Sequence, residues 1–164
     1  MTPDIIRHFD EVVQGAAAEL NTDLFFYYGN EVAVSSDLTI KANAISEATR
    51  RRYPLVWLVM PFEEEKKGGL HTVTAQLVIA TSTDMNYSTE QRMGKVFKPV
   101  LYPIYEALLQ QISRSKAFGM PAVRHINHTK IDFPYWGAGQ KNFFNDFIDA
   151  IQVKNLKVPI KQHC

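Results

Sequence analysis

His125, His128 and Asp132 are the residues whose types and spacing come nearest to chemistry: two imidazoles three apart and a carboxylate four further on. On a helix they would share a side and could hold a metal ion or relay a proton. In a strand, which this stretch suggests, the two histidines point to opposite faces, and no second pair of ligands has a matching spacing. His163 and Cys164 form a weaker pair near the end of the sequence. The lone cysteine has no evident base, and no serine stands in a nucleophile elbow. Gly137-Ala138-Gly139 lacks both the remaining glycine and the strand-to-helix setting of a phosphate loop. Aspartates and glutamates are scattered, with no pair that periodicity gathers in an apolar setting. The expectation is a protein without catalytic residues, bound metal or cofactor. The competing reading is a small-ligand or enzyme domain built on His125, His128 and Asp132.

Arg50-Arg51-Arg52 is the densest basic run and could grip phosphate. A nucleic-acid-binding accessory protein would be favoured if these arginines shared one continuous face with Lys66, Lys67, Arg92 and Lys95. The overall balance gives it no support: 18 basic against 17 acidic side chains leave a net charge of +1. With 46% hydrophobic and 21% charged residues the chain has the composition of a folded protein, and 164 residues suit a single domain spanning 1–164. One cysteine excludes an intramolecular disulfide and points to a reducing compartment. Asp4, Arg7, Asp10 and Glu11 interrupt what would be the apolar core of a signal peptide, and no run approaches the roughly 18 apolar residues of a membrane span. A product of the cytosol with no membrane contact is expected.

The elements that must position these residues are readable from periodicity. Thr2 as N-cap, Pro3 and Asp4 open a helix whose Ile5, Phe9, Val12, Val13, Ala16, Ala17 and Leu20 recur at three- and four-residue steps, with Asn21 able to end it. The runs LFFYYG and EVAVSSDLTIKA, separated at Gly29-Asn30, read as a first short hairpin. Residues 53–62 are apolar on both faces, as in a central strand. Residues 70–81 alternate, with Val73, Ala75, Leu77 and Ile79 on one face and Thr72, Thr74 and Gln76 on the other. Glu63, Glu64, Glu65, Lys66 and Lys67 are too charged for a core, and with the Gly68-Gly69 turn they form the projecting tip of a long hairpin. Ser88 and Gln91 make a capping box. Behind it Met93, Phe97, Val100, Ile104, Leu108 and Ile112 form an apolar stripe, which Pro99 and Pro103 should break or kink near residues 97–102. A strand over 123–133, the aromatic loop from Phe133 through Tyr135 and Trp136 to Gly137, and a last strand over 147–158 complete an α+β fold with a mainly antiparallel sheet.

Tyr53-Pro54-Leu55-Val56-Trp57-Leu58-Val59, the strand over 70–81 and the helix with Val100, Leu101, Tyr102, Pro103 and Ile104 carry a resemblance to the tail-terminator and tail-completion proteins of long-tailed bacteriophages. It runs through the whole chain as an order of elements and includes no diagnostic motif; residues 116–145 are longer than the usual pattern. The resemblance implies a virion protein, made in the host cytoplasm, that forms a homomeric ring, commonly a hexamer. The ring would cap the tail tube, meet the head connector and let DNA pass through its lumen without sequence recognition. Physical reasoning leads to a similar place, since a small open sheet has edges to satisfy and a cyclic array of copies can pair them. Glu63, Glu64, Glu65, Lys66 and Lys67, with the aromatic Phe133, Tyr135 and Trp136, are the expected contacts to neighbouring subunits or partners.

Overall fold

The structure, a computed structural model, describes residues 4–42, 52–119, 123–134 and 147–161. Helix α1 (Ile5–Leu20) has Asp4 as its N-cap, two residues after Thr2, its carboxylate accepting from the Arg7 N–H; Thr2 and Pro3 lie outside the described residues. Asn21 ends the helix in the left-handed conformation (φ 50°), a role that asparagine fills readily. Strand β1 (Phe25–Gly29) follows. The segment read as its hairpin partner is instead helix α2 (Glu31–Ala42). Asn30 sets that outcome, because its side-chain oxygen accepts from the Ala33 N–H and its carbonyl from the Val34 N–H, capping a helix rather than closing a two-residue turn.

Strands β2 (Leu55–Val59), β3 (Glu63–Lys67) and β4 (Leu70–Ser82) come next. The charged run is thus a strand in its own right, antiparallel to the first residues of β4 through a turn in which Gly68 and Gly69 take φ of 57° and 80°. Helix α3 (Thr89–Arg92) starts at the Ser88–Gln91 capping box and passes into a π-helix (Met93–Leu101), then into α4 (Tyr102–Arg114). Pro99 and Pro103 explain the widened turns, since neither can donate in an α-helical ladder and the Tyr102 N–H reaches back to Phe97 instead of Lys98. A 3-10 turn (Val123–His125), β5 (Asn127–Phe133) and β6 (Ile148–Ile160) close the chain.

Among the described residues the strands form one mixed sheet in the order β1-β2-β4-β6-β5, with β3 extending the sheet beside β4. Only β1 and β2 are parallel, joined through α2; the other pairs are antiparallel. One face carries α1, the π-helix and α4 over Val56, Leu58, Val73, Ala75, Leu77, Ile79, Ile151 and Val153. The opposite face is not uniformly polar, as the alternation of β4 suggests. α2 places Val34 and Leu38 over Tyr27, Leu55, Trp57, Val78, Ala80, Ile148 and Ala150; the half near Thr72, Thr74 and Gln76, which are half-buried, has no helix of the described residues over it. A bulge in β6 keeps Val153 and Leu156 on the same side: Leu77 faces Val153 and Ala75 faces Leu156, with Asn155 at φ 53° absorbing the surplus residue.

Candidate functional site

The β3–β4 hairpin brings five consecutive charged side chains, Glu63 to Lys67, into solvent. They are not equivalent. Glu65 pairs with Lys67 at 3.5 Å in the open. Glu64, on the other face of β3, reaches the Nε2 of His71 at 3.0 Å, and the His71 side chain is only 1% exposed. Glu64 therefore fastens the hairpin to the end of the core, whereas Glu63, Glu65 and the two lysines present charge outward.

The second constellation lies between α4 and the edge strand β5. Period-2 spacing puts His128, Lys130 and Asp132 on one face of the strand, opposite Tyr102 and Tyr105, one helical turn apart on α4. The Tyr102 hydroxyl donates to Asp132 Oδ2, and Lys130 Nζ donates to Asp132 Oδ1 at 2.7 Å. The same ammonium stands 4.4 Å from the Tyr102 ring centroid and 5.4 Å from that of Tyr105. The His128 Nδ1 lies 2.8 Å from the Ile126 carbonyl, which can only accept, so the neutral ring carries its proton there and its Nε2 accepts from the Tyr105 hydroxyl at 2.6 Å. Burial, the hydrogen bond to Asp132 and the charge of that carboxylate push the Tyr102 hydroxyl up to about 12. Burial, with Glu106 and Asp132 nearby, also raises that of Tyr105. Such phenols hold protons at neutral pH, and the arrangement ties an edge strand to a helix through complementary pairs.

His125 lies exposed on the 3-10 turn, its Nε2 3.5 Å from Arg124 Nε. It does not join His128 and Asp132, and no group of three His, Cys, Asp or Glu side chains among the described residues converges as metal ligands. Arg92 leaves the basic face on which the sequence could have placed it. Its side chain is fully buried, 2.7 Å from Asp149, and it also donates to the carbonyls of Tyr87 and Asp84 and to Thr83 Oγ1. Arg52 stacks its guanidinium 5.5 Å from the Tyr53 ring centroid, while Arg50 and Arg51 lie outside the described residues. So do Tyr135, Trp136, the glycines at 137 and 139, His163 and Cys164; Phe133, the described member of the aromatic trio, is half-buried.

Sequence reasoning missed the tyrosines of the second constellation. Their signal was present as an i, i+3 aromatic pair beside a buried stripe, but its partners lie more than twenty residues downstream and only the fold brings them together. A shallow groove of about 340 Å³ at the end of α1, lined by Gln14, Ala17, Ala18, Asn21, Thr22 and Asp23, has no nucleophile or imidazole at its wall. No helix among the described residues is long and apolar enough to cross a membrane. Comparison with known proteins finds no protein-family model and no curated protein that matches the chain.

Proposed function

We propose that the chain is a structural virion protein of a tailed bacteriophage, forming a homomeric ring of six copies that terminates the tail tube and joins it to the head connector. The observation that carries this reading is a sheet that, among the described residues, is open on both sides. At one side β1 pairs, among the described residues, with β2 alone: the Phe25 N–H donates to Pro54 and the Gly29 carbonyl accepts from Met60, which turns the peptide groups of Phe26 and Tyr28 outward. At the other side β5 pairs, among the described residues, only with β6. β5 runs opposite to β1 and β3, so a copy related by simple rotation would set its β5 antiparallel to the next copy's open edge, the arrangement in which head-to-tail contacts close into a ring. The outward charges of Glu63, Glu65, Lys66 and Lys67 supply a projecting surface for the neighbouring subunit or the tube, with DNA passing through the centre.

Light scattering and electron microscopy of the purified protein test this reading. Rings are expected, and their position at the neck of phage particles follows by immunolabelling. A strict monomer absent from virions would sink it, and a ring of another size corrects only the stoichiometry.

A further inference from the structure

Among the described residues β3 is the strand whose side chains are all exposed, and its charges follow an order: Glu63, Glu64 and Glu65, then Lys66 and Lys67. It pairs there with β4 alone, so its other side is an open edge. The closing turn tells which peptide groups that edge offers. Gly68 and Gly69 both take positive φ, as in a two-residue hairpin turn whose flanking residues, here Lys67 and Leu70, form a hydrogen-bonded pair. Alternation then directs the peptide groups of Glu63, Glu65 and Lys67 towards β4 and those of Glu64 and Lys66 to the free side.

Charges on an edge strand usually prevent pairing, because like signs meet across the new ladder. This order does so for most arrangements of two β3 strands. Parallel in-register pairing sets every charge against its own kind. Antiparallel pairing about Glu64 sets Glu64 on Glu64 and Glu63 on Glu65, and pairing about Lys66 sets Lys66 on Lys66 and leaves Glu63 and Glu64 opposite the glycine turn. Antiparallel pairing about Glu65 is complementary. Glu63 then faces the partner's Lys67 and Glu64 the partner's Lys66, the relation repeats in reverse, and like charges meet at Glu65 alone, where each carboxylate has Lys67 of its own chain at 3.5 Å. The same register sets the outward peptide groups of Glu64 and Lys66 opposite each other, as an antiparallel ladder requires, whereas a slip by one residue would set outward groups against inward ones. Charge order and hydrogen-bond alternation thus select one register independently. Glu64 keeps its core contact in that register, because His71 engages its Oε1 and the Oε2 is left for the partner's Lys66. The other open edges lack such a pattern: β1 carries no charge, and on β5 Lys130 and Asp132 satisfy each other at 2.7 Å.

We infer that β3 is a self-recognition strand, pairing antiparallel with β3 of a second copy about a twofold axis through Glu65 and joining two sheets into one. The contact uses neither β1 nor β5, so it stands whether or not copies close into a ring. Two five-residue strands make a small interface held by exposed charges, and the dimer is reversible and salt-sensitive.

Sedimentation velocity of the full chain over a concentration series, at low and high salt, tests it with substitutions that leave Glu64 and His71 in place. The wild-type protein should show a monomer–dimer step that weakens with salt. Glu63→Lys alone and Lys67→Glu alone each set like charges opposite one another at both ends of the ladder, and each should weaken dimerisation about tenfold or more at low salt. An equimolar mixture of the two variants should dimerise as the wild type does, since every lysine at these positions then meets a glutamate; the E63K/K67E double variant should do the same. Lys66→Pro removes an N–H that β4 does not use, and should abolish the dimer while the melting temperature of the monomer stays the same. A wild-type chain without a dimer step at low salt, single variants that dimerise normally, or a mixture that fails to restore the dimer would each overturn the inference. Dimers without larger rings sustain it and count against the ring, whereas rings of equal mass in wild type and Lys66→Pro overturn it and leave the ring standing.

Discussion

Arg92 and Asp149 meet at 2.7 Å with both side chains wholly excluded from solvent, although 57 residues separate them in the sequence. The guanidinium also collects the loop between β4 and α3 through Thr83, Asp84 and Tyr87, so one side chain holds a strand end, a loop and a helix start in register. Removing one charge of such a pair strands the other in a medium that solvates it poorly. Arg92→Ala is expected to destabilise the fold by about 3–5 kcal/mol in urea unfolding. The combined Arg92→Met, Asp149→Leu variant should recover a measurable part of that loss; a double variant no better than the single one would mean that the loop contacts dominate the pair.

The hairpin prediction depends on which glutamates are spared. Glu64 fastens the nearly buried His71, so reversing it would mix a stability effect with an assembly effect. Glu63→Lys with Glu65→Lys, leaving Glu64, should weaken self-association at low salt while thermal unfolding of the dissociated chain stays the same. Normal assembly of that variant, measured by light scattering at low ionic strength, would reduce the hairpin tip to a solvated turn.

Tyr102 provides a pH signature. Its folded-state hydroxyl titrates near 12, above the ordinary value of 10, for reasons of burial first and of Asp132 second. A raised pKa means that the stabilising contribution is complete below pH 10 and is lost as pH climbs from 10 through 12. The melting temperature of the wild-type protein should therefore fall more steeply over that window than that of Tyr102→Phe, which lacks both the proton and the bond. Parallel curves for the two proteins would contradict the assignment.

His128 is expected to be structural. His128→Ala removes its bonds to Tyr105 and the Ile126 carbonyl and should cost about 1 kcal/mol without abolishing assembly. Elemental analysis of the purified wild-type protein should find no stoichiometric zinc; a metal lost on substituting His128 would restore the ligand-binding reading.

Gly68 and Gly69 both occupy positive φ, and an added Cβ at either would meet nothing within 4 Å. Any loss on Gly69→Ala thus comes from backbone conformation alone, and about 1 kcal/mol is expected by thermal or urea denaturation.

Legibility in the sequence followed burial. The first half of β4, with Val73, Ala75 and Leu77 inward and Thr72, Thr74 and Gln76 outward, and the stripe from Phe97 to Ile112 each present one apolar face to a single layer, so their periodicity is strong enough to read directly. α2 was obscured because it buries little more than Val34 and Leu38 and leaves Val32 and Ile40 exposed, so its β-branched residues imitate a strand. The decisive evidence there was one asparagine, equally at home in a turn and at a helix start. β3 was obscured for the opposite reason: an edge strand with all five residues exposed has no hydrophobic pattern to show. The Tyr102–Asp132 and Tyr105–His128 pairs had no local signature, since the contacts belong to the tertiary arrangement of α4 and β5.

The bulge at Asn155 gives β6 a property that uniform strands lack. Both neighbours, β4 and β5, step over one extra residue at the same point, so the strand spans thirteen positions while keeping the pleat of twelve. Losing Asn155 would leave every apolar side chain on its present side, whereas losing Gln152 would turn Val153 and Lys154 to the wrong faces. β6 thus contains one dispensable position, set between the lysines of one face and the valines of the other, where the length of the chain can change by one without rewriting the sheet.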